Sequence, residues 1–239
     1  MTILIPMAGM GKRFSEVGYV IPKPFLPLGK LTMIQSVINN IYNDEANFIF
    51  VVNESQINPK ALELQISEIT NKFELMIIDH VPQGPAMSCL IARNKINNNQ
   101  PLIITNCDQI IEDLNYEYFN NFIQFHRLDG CIGIFHSSNR KNSYVKVNDN
   151  NEIVDIKEKV IISNLATNGF HFWKRGSYFV ESSDQMIKNN DTVNGEYYVA
   201  PSYNYMIQSG MKVMPYNFNM HFPIGIPEDY ENYKKLRKL

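Results

Sequence analysis

The feature that most constrains this chain is an alternation in its first half between short, almost wholly apolar runs and longer segments of helical pattern. Thr2–Pro6, Asn47–Val52, Phe73–Ile78 and Pro101–Thr105 read as strands, with helices near Met33–Tyr42, Pro59–Lys72 and Ala86–Ile96 between them. Continuous Ile/Leu/Val/Phe runs are buried on both faces, as in a parallel sheet covered by helices. From about Asp129 the pattern shifts to shorter strands at Cys131–His136, Ser143–Val147, Ile153–Glu158, Gly169–Trp173 and Lys212–Tyr216, a more mixed set. Helices near Ser177–Lys188, Ala200–Ser209 and Glu228–Lys238 complete the second half. The prediction is an α/β fold: a single-domain, Rossmann-like open sandwich with a mainly parallel, partly mixed central sheet flanked by helices. With 239 residues, 44% of them hydrophobic, and no linker or repeat, one core suffices. Open α/β sheets bind ligands beyond the carboxyl ends of their strands, where the loops Ala8–Phe14 and Asn106–Gln109 are expected to emerge as neighbours.

Charge and composition narrow the partners. Lys and Arg number 22 against 24 Asp and Glu, a net charge of -2 that offers no overall attraction to nucleic acid or to an anionic membrane. Three cysteines without a C-x-x-C pair fit a reducing cytosol, and the five histidines show no zinc-ligand spacing. No apolar run approaches the roughly 20 residues of a spanning helix, and Lys12 and Arg13 follow the opening apolar run instead of preceding it. The expectation is a cytoplasmic chain. Tyr116 and Tyr118, read as exposed aromatics, hint at a homo-oligomer.

The most informative stretch is Ile3–Pro24, in which a strand runs into Ala8, Gly9, Met10, Gly11, Lys12, Arg13 and Phe14. Glycines let backbone N–H groups approach a polyphosphate, while Lys12 and Arg13 add positive charge. Two better-known phosphate loops fail. Pro6 stands where a P-loop needs its first glycine and Arg13 where it needs Ser or Thr, and Phe14 occupies the third glycine of the dinucleotide fingerprint. Lys23 lies between Pro22 and Pro24, which restrict the backbone around it and suit one fixed cation.

Together the G-x-G-x-R-F loop, the spacing to Pro22-Lys23-Pro24 and the Leu28-Gly29-Lys30 segment resemble the sugar-phosphate nucleotidyltransferase (sugar nucleotide pyrophosphorylase) family. The resemblance implies that Ala8, Gly9, Gly11, Lys12 and Arg13 hold a nucleoside triphosphate, with Arg13 on its phosphates, and that Lys23 bridges the α-phosphate and an acceptor phosphate. It further implies that Gln83-Gly84 reads the nucleobase and that Asp108, at a strand end, binds Mg²⁺. A hard carboxylate suits that cation; alone, Asp108 would read as the cap of the next helix. On the same basis Glu158, Lys159, Gly169 and Glu196 contact the acceptor, so that residues 1–110 form mainly the nucleotide half and 111–239 mainly the acceptor half. One departure stands out. Many relatives carry a second metal aspartate where this chain has Pro223, so either Asp108 works with phosphate oxygens and water, or another acid such as Asp229 reaches the site.

The reaction so implied joins the NMP part of an NTP to a small phosphorylated acceptor, most simply a sugar 1-phosphate, and releases pyrophosphate. The segment around Pro223 also suits relatives that cytidylylate a phosphorylated polyol. Two other classes compete. A glycosyltransferase would show a D-x-D motif, whereas Gln109 and Ile110 follow Asp108; a catalytically silent nucleotide sensor would not need Arg13, Lys23 and Asp108 together.

Overall fold

In the computed structural model, which describes residues 1–9 and 11–239, the apolar runs assemble into one nine-stranded sheet. Met10, inside the glycine loop, lies outside the described residues. The strands are β1 (Thr2–Met7), β2 (Asn47–Asn53), β3 (Phe73–Ile78), β4 (Leu102–Ile104), β5 (Gly130–His136), β6 (Ser143–Val147), β7 (Ile153–Glu158), β8 (Leu165–Trp173) and β9 (Val213–Asn217). β1 lies between β2 and β4, and β3 flanks β2, all four parallel. β8 runs antiparallel to β4 and β5, β6 and β7 pair antiparallel beside it, and β9 joins β5 in parallel. The sheet is therefore parallel where the apolar runs are uninterrupted and mixed in the second half.

The runs are apolar on both faces because both faces are covered. Ile3, Ile5, Met7, Phe48, Phe50 and Val52 belong to one buried cluster, while Leu4, Ile49, Val51, Leu102 and Ile104 belong to another. Each such side chain withdrawn from water contributes about 1.5–3 kcal/mol, so a one-residue register slip would exchange two complete cores. The Met33–Asn40 helix starts from a capping box in which Thr32 and Gln35 bond reciprocally, fixing the segment that follows Lys23. Among the described residues no helix is long and apolar enough to cross a membrane.

Several segments depart from the sequence-based expectation: the helix expected over Pro59–Lys72 ends at Ser67, and three other differences bear on the fold. The helix expected over Ala86–Ile96 is split into Pro85–Leu90 and Arg93–Ile96, with Ile91 and Ala92 N–H groups bonding three residues back in a tightened turn. Tyr116–His126 forms a helix capped by Asn115 that lays Phe119 and Ile123 on the core. Tyr116, its first residue, is not an exposed aromatic: it packs against the core and its hydroxyl donates to Ile41 O at 2.8 Å, leaving only Tyr118 exposed. β8 begins at Leu165, four residues earlier than the apolar pattern indicates, and breaks register with β5 between Thr167 and His171.

Candidate active site

Because β1, β2, β3 and β4 are parallel, the loops after them emerge along one edge. Leu4 pairs with Ile104, and beyond that pairing Gly9 and Gly11 line one cavity with Asn106, Cys107 and Asp108. β8 enters this edge from the opposite direction, bringing Gly169 against Asn106. A Cβ at Gly169 would lie 2.1 Å from Asn106 Nδ2, and its φ of 83° favours glycine, so the residue is glycine for both space and conformation. A cavity of ≈ 370 Å³ opens here, lined by Gly9, Gly11, Lys23, Asn106, Cys107 and Asp108 among others. At Gly9 and Gly11 an added Cβ would meet nothing within 4 Å, so the glycines face open space at this edge. Ala8 is buried beneath them, and Lys12 and Arg13 are exposed on the short Lys12–Ser15 helix.

Lys23 and Asp108 meet at the centre. Pro22 precedes and Pro24 lies within a 3₁₀ turn over Lys23–Phe25 in which Phe25 N–H donates to Pro22 O and Leu26 N–H to Lys23 O, holding the Lys23 backbone rigid. Lys23 Nζ donates to Asp108 Oδ2 at 2.6 Å. Burial opposes charge on both groups, and their mutual attraction outweighs it: Lys23 is held above its usual range and Asp108 below the usual carboxylate range. Arg13 adds positive field at both. Burial pushes the Cys107 thiol up to about 11, which rules out a resting thiolate nucleophile.

The segment carrying Pro223 packs directly on Asp108. His221–Pro223 pairs antiparallel with Gln109–Ile111, Ile224 N–H donates to Asp108 O at 2.9 Å, and a Cβ at Gly225 would come within 2.5 Å of Asp108 Oδ2. Pro223 thus sits opposite Gln109 with no side-chain ligand to offer. Asp229 feels the Asp108 charge, and its own carboxyl is raised by burial and by Glu228. Among the described residues no three His, Cys, Asp or Glu side chains gather as a metal cage. His221, partly buried near Asp108 with Nε2 3.2 Å from Gln109 Oε1, is lowered to about 4 by burial.

The remaining candidates form a second group. Glu158, at the end of β7, is buried, accepts a hydrogen bond from Ser143 Oγ, and is raised by burial. Lys159 follows in the left-handed region at φ 58°. Its Nζ donates to Tyr198 OH, which in turn donates to Glu196. Gln83 and Gly84 do not line the main cavity. They are stitched to the Glu196 loop instead: Tyr197 N–H donates to Gln83 O at 3.0 Å, Ala86 N–H to Tyr197 O at 3.0 Å, and Gln83 Nε2 to Gly195 O at 2.8 Å. Arg13 perturbs Tyr198 as well as Lys23 and Asp108, so it lies within electrostatic reach of both groups.

The sequence profile of the nucleotidyl transferase family matches residues 3–212. The chain belongs to that family. The chain is similar to the bifunctional protein GlmU of Methanococcus aeolicus, 27% identical over 161 residues, which are 66% of this chain and 36% of that protein. It thus spans about a third of the length of that curated relative. Its fold is shared with a nucleoside-diphosphate-sugar pyrophosphorylase from Vibrio cholerae RC9 (TM-score 0.85, 22% identity, 98% of this chain and 99% of that one). It is shared also with a UDP-glucose pyrophosphorylase in complex with UDP-glucose (TM-score 0.80, 18% identity, 99% and 98%). An inositol-1-phosphate CTP transferase from T. maritima superposes at TM-score 0.76 with 16% identity over 99% and 95% of the two chains. Three residues have no role in the sequence analysis: Asn106, Ser143 and Tyr198. Asn106 lies in a loop singled out there and Tyr198 two residues beyond Glu196, but the contacts that give them meaning join positions 63 and 39 apart, which no local pattern records.

Proposed function

We propose that the chain transfers an NMP group from a nucleoside triphosphate to a small phosphorylated acceptor, most simply a sugar 1-phosphate, with release of pyrophosphate. The observation that carries this reading is the Lys23–Asp108 pair, 2.6 Å apart at a glycine-lined cavity on the ligand-binding edge of the sheet. In this reading the triphosphate lies along Gly9 and Gly11 beside Arg13, the base is read near Gly84, and the acceptor lies toward Glu158 and Lys159. An oxygen of the acceptor phosphate forms the new bond to the α-phosphorus, and the bond from that phosphorus to the bridging oxygen of the β-phosphate breaks, its electron pair leaving with pyrophosphate. A phosphate monoester has its second pKa near ~6, so at neutral pH the nucleophile is already dianionic and needs no general base. Lys23 brings the two anionic centres together and offsets their repulsion.

Asp108 is the residue that would hold Mg²⁺. Lys23 engages Oδ2 alone, and a carboxylate with two oxygens retains acceptor capacity on Oδ1, which fits a cation that keeps waters and completes its shell with substrate phosphates. When bound, the ion neutralises charge on the phosphates of the nucleotide and of departing pyrophosphate. Cytidylyl transfer to a phosphorylated polyol is the second reading; Pro223 in place of an acid and the shared fold with an inositol-1-phosphate CTP transferase favour it. The test is a matrix of ATP, CTP, GTP and UTP against glucose 1-phosphate, N-acetylglucosamine 1-phosphate and inositol 1-phosphate, with Mg²⁺, scored by pyrophosphate release. At least one pair is expected to release pyrophosphate only when both substrates are present. Release that is independent of acceptor, or nucleotide binding with no release in any pair, contradicts the reading.

A further inference from the structure

Lysine is a long, flexible side chain, and a cation expected to meet an acceptor phosphate gains by being held in place beforehand. Lys159 is held at three points. Its backbone sits in the left-handed region at φ 58°, where a residue with a Cβ is strained, and its N–H donates to Asn142 O at 3.1 Å. Its Nζ lies 4.5 Å from the centroid of the Tyr198 ring and donates to the Tyr198 hydroxyl. That hydroxyl donates onward to the Glu196 carboxylate, giving a directional chain from ammonium to phenol to carboxylate. Burial and the Glu196 carboxylate push the phenol above its usual range, so it remains the donor to Glu196 across the neutral range.

Tyr198 is itself positioned by the residue before it. Tyr197 exchanges backbone hydrogen bonds with the Gln83–Ala86 segment, and Gly84 approaches so closely that a Cβ there would lie 2.5 Å from Tyr197 O and 2.7 Å from Tyr197 N. The loop that carries Tyr198 is thereby fastened to the segment assigned to the nucleobase.

We propose that Tyr198 is a positioning residue for Lys159, presenting its ammonium to the phosphate of the acceptor. This deepens, and rests on, the assignment of Lys159 to the acceptor side. The phenol leaves the ammonium with two further N–H donors, and those are the ones available to an incoming phosphate. Glu196 acts through Tyr198 instead of touching the acceptor.

The experiment follows Lys159 directly, by NMR of protein carrying ¹³C at lysine Cε, with the Lys159 resonance identified from Lys159→Arg. Inorganic phosphate is the probe, titrated into wild type, Tyr198→Phe and Tyr198→Leu. The Lys159 resonance is expected to lie away from the other lysines in wild type, to move partway toward them in Tyr198→Phe and to join them in Tyr198→Leu. Half-saturation by phosphate at Lys159 should rise about tenfold in Tyr198→Phe, the loss of one charge-assisted hydrogen bond. With any substrate pair that wild type turns over, Tyr198→Phe should raise the acceptor KM by a similar factor and leave kcat and the NTP KM within about twofold. An unmoved Lys159 resonance, or unchanged phosphate half-saturation, overturns the proposal. Absence of pyrophosphate release by wild type would instead count against the functional assignment, and the phosphate titration would still decide the role of Tyr198.

Discussion

Lys23 and Asp108 each stabilise the charge of the other, and that reciprocity sets what a substitution should do. Lys23→Met removes the cation assigned to the reacting phosphates and leaves Asp108 partly buried without its partner. We expect kcat/KM to fall by about 10²–10³, the scale of losing one preorganised charge-stabilising group. Stability should fall by only about 1–3 kcal/mol, the range for a charge-assisted hydrogen bond. The pH dependence follows from the two directions. Asp108, lowered in the fold, contributes stability above its unfolded pKa of about 4 and loses it as pH falls through the depressed value; Lys23, raised, contributes below about 10.4 and loses it as pH rises through the elevated value. Across pH 6 to 9 both remain charged, so the ratio of wild-type to Lys23→Met kcat/KM should stay constant there. Steady-state kinetics at several pH values, with melting temperatures alongside, check this. A deficit that varies tenfold over the range, or near wild-type kcat/KM, contradicts the role given to Lys23.

Two glycine-bearing loops serve the site differently at the level of the element. Gly9 and Gly11 after β1 face open space, whereas Gly84 after β3 is packed against the Tyr197 backbone and Glu196 Cβ. Gly84→Ala should therefore cost roughly 1–3 kcal/mol of stability, from overpacking and a φ of 98° that a side chain resists. Gly9→Ala should leave the melting temperature nearly unchanged and weaken NTP binding measured by calorimetry, because its methyl points where the triphosphate is placed. The reverse pattern would show that the two loops have been assigned the wrong work. β3, β6 and β7 match the sequence-based bounds at both ends although none is buried throughout: β3, at the sheet edge, has no fully buried residue, and β6 and β7 intersperse buried with exposed positions. The Tyr116–His126 helix is obscured in the sequence because the exposed aromatics Tyr118 and Phe125 blur the stripe of Tyr116, Phe119, Phe122 and Ile123 that faces the core. The early start of β8 depends on pairing with His136, nearly thirty positions away, and left no local trace.

For the whole molecule, the decisive junction is the antiparallel pairing of β8 with β4, which brings Gly169 onto Asn106 and joins the early and late strands in one sheet. The glycine loop, Pro22-Lys23-Pro24 and Asp108 stand out in the sequence as candidates because each is a short local pattern. The Lys159–Tyr198–Glu196 chain and the stitching of Gln83 to Gly195 do not, since they exist only once the sheet has closed. The claim that unites these parts is that chemistry occurs at the α-phosphorus of the nucleotide, with the acceptor phosphate as nucleophile. Its most direct test is to follow the fate of the nucleotide phosphorus atoms by ³¹P NMR, in the presence of Mg²⁺ and an acceptor from the substrate matrix. The α-phosphorus should appear in a new diphosphate linkage to the acceptor, with the β- and γ-phosphorus recovered together as pyrophosphate. A γ-phosphorus recovered as orthophosphate or on the acceptor, with the nucleoside diphosphate left behind, would contradict the account.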